Sequence, residues 1–580
     1  MRRLCHLLIL PLALLFARAA HADKFTLKII AINDFHGNLQ SPGSFRADSR
    51  SSDVPAGGID VLAGYVAYLK AQNPSHVVVS AGDLIGASPL ASVLFHDEGT
   101  IETMNRLGLE INAVGNHEFD HGRQELLRMQ SGGCSTVDEN TCEGAQVGTP
   151  VPFEGAKFQF LAANVFDKAT GKTIFPAYAI KTYNGVRVAF IGLTLQGTPT
   201  LATPSSVAGL RFADEASTVN MLVRQLRARG IQCFIVLLHE GGEQTTKGVV
   251  DINACEGGLE GSPIESIVKK LDDAVDLVIS AHTHQAYVCQ VANRAGRKIP
   301  VTSAESYGRL VTDIDVTLDT VTKKAVAVIA RNMVVDRKNA NITADAGIKT
   351  IVDRYASLVA PITGRVVGSI TADIPIAIGA SGESPLGDLI ADAQLEATHD
   401  SGGAVVAFMN QGGIRETLAY SGGAGDGKVT YGQFFNIQPF GDSLVTMTLT
   451  GAQLKTLLEQ QFRGCTLDYP AGSGGGQAAD QILQVSNGFT YTWNPAGAAC
   501  HKVDAASIKI DGVTVAPTRK YRVTANGFLA DGKSQLYEFT RGTERVGGIQ
   551  NVDALADYFA RHHSVSPGTR DRIRLSSSPQ

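Results

Sequence analysis

Five apolar runs in the first half of the chain each lead into residues able to bind a metal ion. Phe25 to Ile32 is followed by Asp34-Phe35-His36, and His76 to Ala81 by Gly82-Asp83. Ile111 to Val114 leads into Gly115-Asn116-His117-Glu118-Phe119-Asp120. Gln232 to Leu238 ends at His239, and Val275 to Ala281 ends at His282-Thr283-His284. Each run is short and mostly apolar, the pattern of a buried strand. Between them, Ile59 to Leu69, Ile101 to Leu107 and Ala216 to Leu226 place apolar residues at helical spacing. This alternation predicts an α/β layer fold over residues 24 to 335. Sites in such sheets lie outside the carboxyl ends of the strands. The five runs therefore bring Asp34, His36, Asp83, Asn116, His239, His282 and His284 to one rim. Ordinary helix capping explains one or two such endings, whereas five together point to a metal site.

The pattern changes further along. Gly132 to Pro150 holds glycines and two cysteines and reads as a stapled surface loop. Ile342 to Val359 predicts a connector helix capped by Thr343, with Ile348, Ile351, Val352 and Tyr355 on one face, ended by Pro361. The connector is taken as residues 336–362, with a second domain over 363–575. That domain opens with a glycine-rich stretch, Gly379 to Gly387, then a helix from Leu386 to Ala397 and a strand from Ala404 to Met409. Strands follow at Leu444 to Leu449 and Tyr521 to Ala525, with a helix from Gly451 to Phe462. Gly472 to Gln477 reads as a flexible insertion.

A length of 580 residues exceeds one core and fits two or three domains. The net charge of −5 argues against a nucleic-acid scaffold, which would need a basic face. It leaves room for a phosphorylated small molecule, because metal ions can supply positive charge. Arg2, Arg3, the apolar run Leu7 to Ala17 and the small-x-small triplet Ala20-His21-Ala22 predict a signal peptide over residues 1–22, cleaved after Ala22. The expectation is a periplasmic or secreted protein with no membrane anchor. Beyond Cys5 lie Cys134, Cys142, Cys233, Cys255, Cys289, Cys465 and Cys500. Proximity along the chain predicts bridges Cys134–Cys142, Cys255–Cys289 and Cys465–Cys500, leaving Cys233 as a buried thiol inside a strand.

Imidazole and oxygen donors without thiolate suit Zn, Mn, Co or Fe. Seven ligands exceed the need of one ion, so the expectation is two divalent ions bridged by Asp83. Two ions about 3.5–4 Å apart suit in-line phosphoryl displacement. His117 would then face the phosphate, and Asp120 would hold its tautomer and raise its pKa.

Asn33-Asp34-Phe35-His36-Gly37-Asn38, Gly82-Asp83, Gly115-Asn116-His117-Glu118 and His282-Thr283-His284 resemble the motifs of the calcineurin-like metallophosphoesterases. The second half resembles the C-terminal domain of the 5'-nucleotidase/UDP-sugar hydrolase family. Asn410-Gln411-Gly412-Gly413-Ile414-Arg415 matches its Asn-x-Gly-Gly-Ile-Arg loop, and Gln438-Pro439-Phe440-Gly441 and Asn526-Gly527-Phe528 match its two aromatic segments. The resemblance implies a four-layer αββα sandwich followed by a second α+β domain. It implies one ion held by Asp34, His36, Asp83 and His284, and another by Asp83, Asn116, His239 and His282. His117 and Asp120 would be the catalytic pair, and Asn410, Gly413, Arg415, Phe440 and Phe528 would bind substrate. Two departures stand out. Ala380 to Gly387 lacks an arginine that some relatives use on phosphate, leaving Arg415 alone with the metals. Asp531-Gly532-Lys533-Ser534 replaces the Gly-Gly-Asp-Gly whose acid contacts ribose in relatives, with Asp531 as a substitute.

The expected activity is hydrolysis of nucleoside 5'-monophosphates to nucleoside and phosphate. Rivals are a 2',3'-cyclic-nucleotide phosphodiesterase, a UDP-sugar hydrolase and a hydrolase of a sulfur-bound carrier. A non-catalytic binding module on the same fold would be expected to lack ligands, and all seven are present.

Overall fold

The computed structural model describes residues 23–576, apart from 137, 139, 203–205, 246–248, 424, 470–475 and 478. The predicted signal peptide and most of the 472–477 insertion lie outside the described residues.

Two six-stranded sheets form the first domain. The first runs Ala325–Val334, Leu310–Asp319, Lys24–Ile32, His76–Ser80, Ile111–Ala113, Gln159–Leu161. The second runs Ala286–Ala292, Lys298–Ala304, Val275–Ser280, Cys233–His239, Val186–Thr194, Tyr178–Tyr183. The central strands pair in parallel, as does the edge strand Gln159–Leu161, and the other outer strands pair antiparallel. Alternate residues of one strand feed different cores. Leu27, Ile29 and Ala31 meet Phe190, Ile235, Leu237 and Ile279 of the second sheet in an interior layer. Ile30 and Ile32 point the other way, under helices Ile59–Gln72 and Glu98–Leu107. On the far side, Ile191, Phe234 and Val236 pack beneath helices Glu215–Ala228 and Pro263–Val268. These layers make the αββα sandwich and explain why each strand is mostly apolar on both faces. The five ligand-bearing strands are divided between the two sheets, three and two, so their common rim belongs to both.

The second domain is α+β. Its five-stranded sheet runs Gln484–Val485, Val406–Met409, Lys520–Asn526, Ser443–Thr450, Thr543–Gln550. Helix Pro385–Gly402, capped by the Ser384 hydroxyl, covers one face with Leu386, Leu389, Ile390 and Ala393. Helix Gly451–Gln460 covers the other and begins with a reciprocal Thr450/Gln453 capping box.

The helix between the domains spans Ala346–Thr363. Its cap is Asp345, whose side chain accepts from Ile348 N, and not Thr343. Pro361 lies inside it and does not end it. Within its last turn a proline forfeits one hydrogen bond without stopping the chain. Ile348, Ile351, Val352, Tyr355 and Val359 are buried in the first domain's core. The 132–150 insertion also departs from a plain loop, since it contains the short helix Gly144–Val147 and buries Val147. Bridges join Cys134–Cys142, Cys255–Cys289 and Cys465–Cys500, and Cys233 is a buried free thiol. No helix among the described residues is long and apolar enough to cross a membrane.

Candidate active site

The seven candidate ligands converge where the strands end. Asp34, His36 and His284 offer donor atoms within 4.8 Å of one another, and so do Asp83, His239 and His282. Positive φ values at Asp34, His36, Asp83, His282 and His284, between 47° and 74°, turn the chain sharply after strands Lys24–Ile32, His76–Ser80 and Val275–Ser280. Non-glycine residues held in this region store strain that the surrounding structure must maintain. Phe35 and Phe119, both fully buried, anchor the turns from below. Glu118 fastens two strand ends together, its carboxylate accepting from Asp83 N (3.0 Å), Leu84 N (2.8 Å) and Gly115 N (2.6 Å). Gly115 allows this approach, since a Cβ there would lie 2.2 Å from Asp83 Oδ1.

The donors fit divalent cations. His36 donates through Nδ1 to Gly86 O (2.8 Å), which leaves Nε2 as a lone pair facing His284 Nε2 at 3.0 Å. Two such nitrogens repel unless a proton or cation lies between them. His239 donates through Nδ1 to Ala81 O (2.9 Å), and its Nε2 sits 2.9 Å from Asp83 Oδ2. Asp83 also lies 3.6 Å from His36 Nε2, so one carboxylate touches both groups. Asn116 Oδ1 is buried and has no hydrogen-bond partner among the described residues. Burial pushes Asp34 up to about 7 and His282 down to about 3. Burial opposes charge on His239, but Asp83 and Asp34 lift it to about 10. Carboxylates and imidazoles packed this tightly are the surroundings that bound cations relieve.

His117 stands apart from the ligand groups. Its Nδ1 lies 2.9 Å from Asp120 Oδ2, leaving Nε2 for the cavity, and its backbone N–H donates to Asp83 Oδ1 (2.9 Å). Burial lowers its pKa, yet Asp120 and Asp83 outweigh that and raise it overall.

A cavity of about 400 Å³ opens above this rim and is walled by both domains. Asn116, His117, Asp120 and His282 line it from the first domain, and Asn410, Gly413, Arg415, Phe440 and Phe528 from the second. Asp34, His36, Asp83 and His239 lie beneath, buried. The Phe440 ring stacks beside His117 (centroids 5.7 Å apart, planes at 23°), and the Arg415 guanidinium is 5.8 Å from the same ring. Arg415 disfavours protonation of His36, His282 and His284, which places its charge close to the ligand groups. Asn410 accepts from Asn526 Nδ2 (3.0 Å), tying these two second-domain segments together. Asp531 is exposed and pairs with Arg545 at 3.4 Å.

Several residues at the site carried no signal in the sequence. Glu118 lies inside the Gly115-Asn116-His117-Glu118 motif, but a carboxylate that receives backbone N–H groups has no spacing of its own. Tyr307 packs its ring against His36 and His284. Asp442, Gln481 and Gln535 reach the cavity wall only through tertiary apposition.

Comparison with known proteins agrees with this architecture. The family model described as calcineurin-like phosphoesterase matches residues 27–286, and that of the 5'-nucleotidase C-terminal domain matches 366–541. Endonuclease YhcR of Bacillus subtilis is 30% identical over 97% of this chain, and cell wall protein Lmo0130 of Listeria monocytogenes is 29% identical over 90%. The chain spans 42% and 65% of the lengths of these two relatives. The crystal structure of a 5'-nucleotidase precursor from Thermus thermophilus shares the fold, with a TM-score of 0.74 and 24% identity, covering 96% of this chain and all of that one. With both domains matched in order, the chain belongs to the 5'-nucleotidase family, a calcineurin-like phosphoesterase domain followed by a 5'-nucleotidase C-terminal domain.

Proposed function

We propose that this chain is a metal-dependent phosphoester hydrolase that releases phosphate from nucleoside 5'-monophosphates. The observation that carries the reading is one cavity whose floor holds the ligand groups and whose opposite wall holds Arg415 and two aromatic rings. A phosphate end and a flat apolar end within one cavity match the two ends of a nucleotide.

Asp34, His36, Asp83 and His284 would hold one divalent cation, and Asp83, Asn116, His239 and His282 a second. Such a pair supplies an activated water and neutralises phosphate oxygens. The chain's own residues do the rest. Arg415 pairs with the phosphate from the second domain, and among the described residues no carboxylate competes for it. His117, its tautomer fixed by Asp120, protonates the leaving ester oxygen through Nε2. Phe440 and Phe528 hold the base by stacking, which tolerates any base. Domain closure would draw the walls together, with Gly364 and Arg365 as the hinge in place of the 336–362 stretch, since helix Ala346–Thr363 is buried in the first domain's core. The predicted leader, the three disulfides and a relative named as a cell wall protein support a periplasmic or secreted location. The presence of all seven ligands argues against a non-catalytic module.

The test is phosphate release by metal-stripped protein reloaded with Mn, Zn or Co. AMP, UMP, 3'-AMP, 2',3'-cyclic AMP and UDP-glucose are compared. The reading expects the 5'-monophosphates to lead. Faster turnover of the cyclic nucleotide or UDP-glucose would replace it with that activity.

A further inference from the structure

The cavity wall contains one carboxylate that neither the ligand groups nor the catalytic pair uses. Asp442 lies two residues after Phe440 and lines the cavity with it. Its side chain is within reach of the turn that carries Phe528, since a Cβ on Gly527 would sit 3.8 Å from Asp442 Oδ1. Its electrostatic neighbours are Asp120 on the catalytic side and Asp531 on the other. Among the described residues no basic group pairs with it and no donor satisfies it. Burial, reinforced by those two acids, pushes its pKa up to about 7. A half-buried carboxylate without partners is costly, and a ligand that brings donors to it recovers that cost.

Its position says which donors. The phosphate end of the cavity is set by His117 and Arg415, and the flat end by Phe440 and Phe528. Asp442 lies between the Asp120 end and the Phe528 turn, where the sugar of a nucleotide spans from phosphate to base. A carboxylate offers two acceptor oxygens side by side, and a cis-diol offers two O–H donors at matching separation. The other acid near this turn, Asp531, is exposed and engaged with Arg545. We propose that Asp442 forms the subsite for the 2',3'-diol of the substrate and selects ribonucleotides with both hydroxyls free. A phosphate on either hydroxyl would remove a donor and set negative charge against the carboxylate. The subsite thus favours 5'-monophosphates over 3'- and 2',3'-cyclic nucleotides. This inference rests on the nucleotidase reading above.

The experiment compares kcat/KM for AMP, 2'-deoxy-AMP and 2',3'-dideoxy-AMP in the metal-loaded wild type, Asp442→Asn and Asp531→Asn. The readout is the ratio of AMP to dideoxy-AMP within each preparation, so partial misfolding cancels. Each hydrogen bond to a charged group is worth enough to change this ratio by about tenfold or more. The wild type is expected to prefer AMP by at least about tenfold. Asp442→Asn should bring the ratio near one, and Asp531→Asn should keep the wild-type ratio. A wild type indifferent to the hydroxyls overturns the proposal, and so does an unchanged ratio in Asp442→Asn or a ratio lost in Asp531→Asn. No phosphate release from AMP by a wild type that hydrolyses p-nitrophenyl phosphate would instead bring down the nucleotidase reading, and the subsite with it.

Discussion

On the first-domain side of the cavity, the important side chains are held from behind. Asp34, His36 and His239 have no solvent exposure, Asp83 has 1%, and each sits on a strand end or a strained turn clamped by Glu118 or a backbone carbonyl. On the second-domain side, Arg415 and Phe440 are half-buried on short loops and Phe528 on the one-turn helix Gly527–Ala530. Arg415 lies over the Phe440 ring, Phe440 beside His117 and Phe528 against its own domain's core. The first wall is pre-organised, as charge stabilisation at a reacting centre demands. In the proposed function the second would grip a flat, variable group by stacking, which needs surface more than fixed geometry. Damage should therefore be nearly all-or-none on one wall and graded on the other.

The sharpest way to break this contrast is Asp83→Ala. Its carboxylate reaches both ligand groups, so the variant should lose most bound metal and all measurable turnover, while His36→Ala should lose mainly one ion of the pair. Elemental analysis of purified protein decides it, and a full metal complement in Asp83→Ala would refute the shared carboxylate. His117→Ala comes next. It should keep its metal yet lose ~10²–10⁴-fold in kcat, the usual worth of a positioned acid or charge stabiliser. Asp120→Asn should lose less, about 10–100-fold, as an outer partner that only orients the ring. Near-normal turnover in His117→Ala would remove it from the chemistry. Glu118→Gln tests the clamp. An amide offers one acceptor where the carboxylate serves three N–H groups, so stability should fall by about 1–3 kcal/mol. Denaturant unfolding measures this, and an unchanged midpoint would make the clamp incidental.

The smallest effect belongs to the rings. Phe528→Ala should raise KM for AMP about tenfold, which corresponds to 1.4 kcal/mol of uniform binding. The loss on p-nitrophenyl phosphate, with no nucleoside to hold, should be clearly smaller. Phe440→Ala is the less clean partner, because that ring stacks beside His117 and its removal also disturbs the reacting end. Equal losses on both substrates for Phe528→Ala would assign that ring to the core, against which it is partly packed.

Most of the metal rim was legible because ligation restricts residue type and strand ends restrict position. Helix capping alone does not place His, Asp or Asn at the ends of five separate apolar runs. The helices Ile59–Gln72 and Glu215–Ala228 were legible from spacing alone. The left-handed turns at Asp34, His36 and Asp83 were not, since Asp and His, although enriched there among non-glycine residues, mostly adopt other conformations. The division of the strands between two sheets was also hidden, because pairing joins residues far apart in sequence. Thr343 and Asp345 are both competent caps two residues apart, and only packing chose the second. Asp442 was invisible for another reason. A single aspartate after a glycine reads as a turn until the opposite domain is placed across from it.

The burial of helix Ala346–Thr363 in the first domain's core bears on how this chain can be divided. A fragment ending at residue 335 would be cut short of its own interior. It would leave an empty apolar socket where Ile348, Tyr355 and Val359 belong, and a piece beginning at 336 would carry a greasy helix with nothing to cover it. A separable amino-terminal piece has to run through Thr363, and its complement has to start at Gly364. Only Gly364 and Arg365 then remain before strand Val366–Ile370, so any swivel between the halves is concentrated in a two-residue joint.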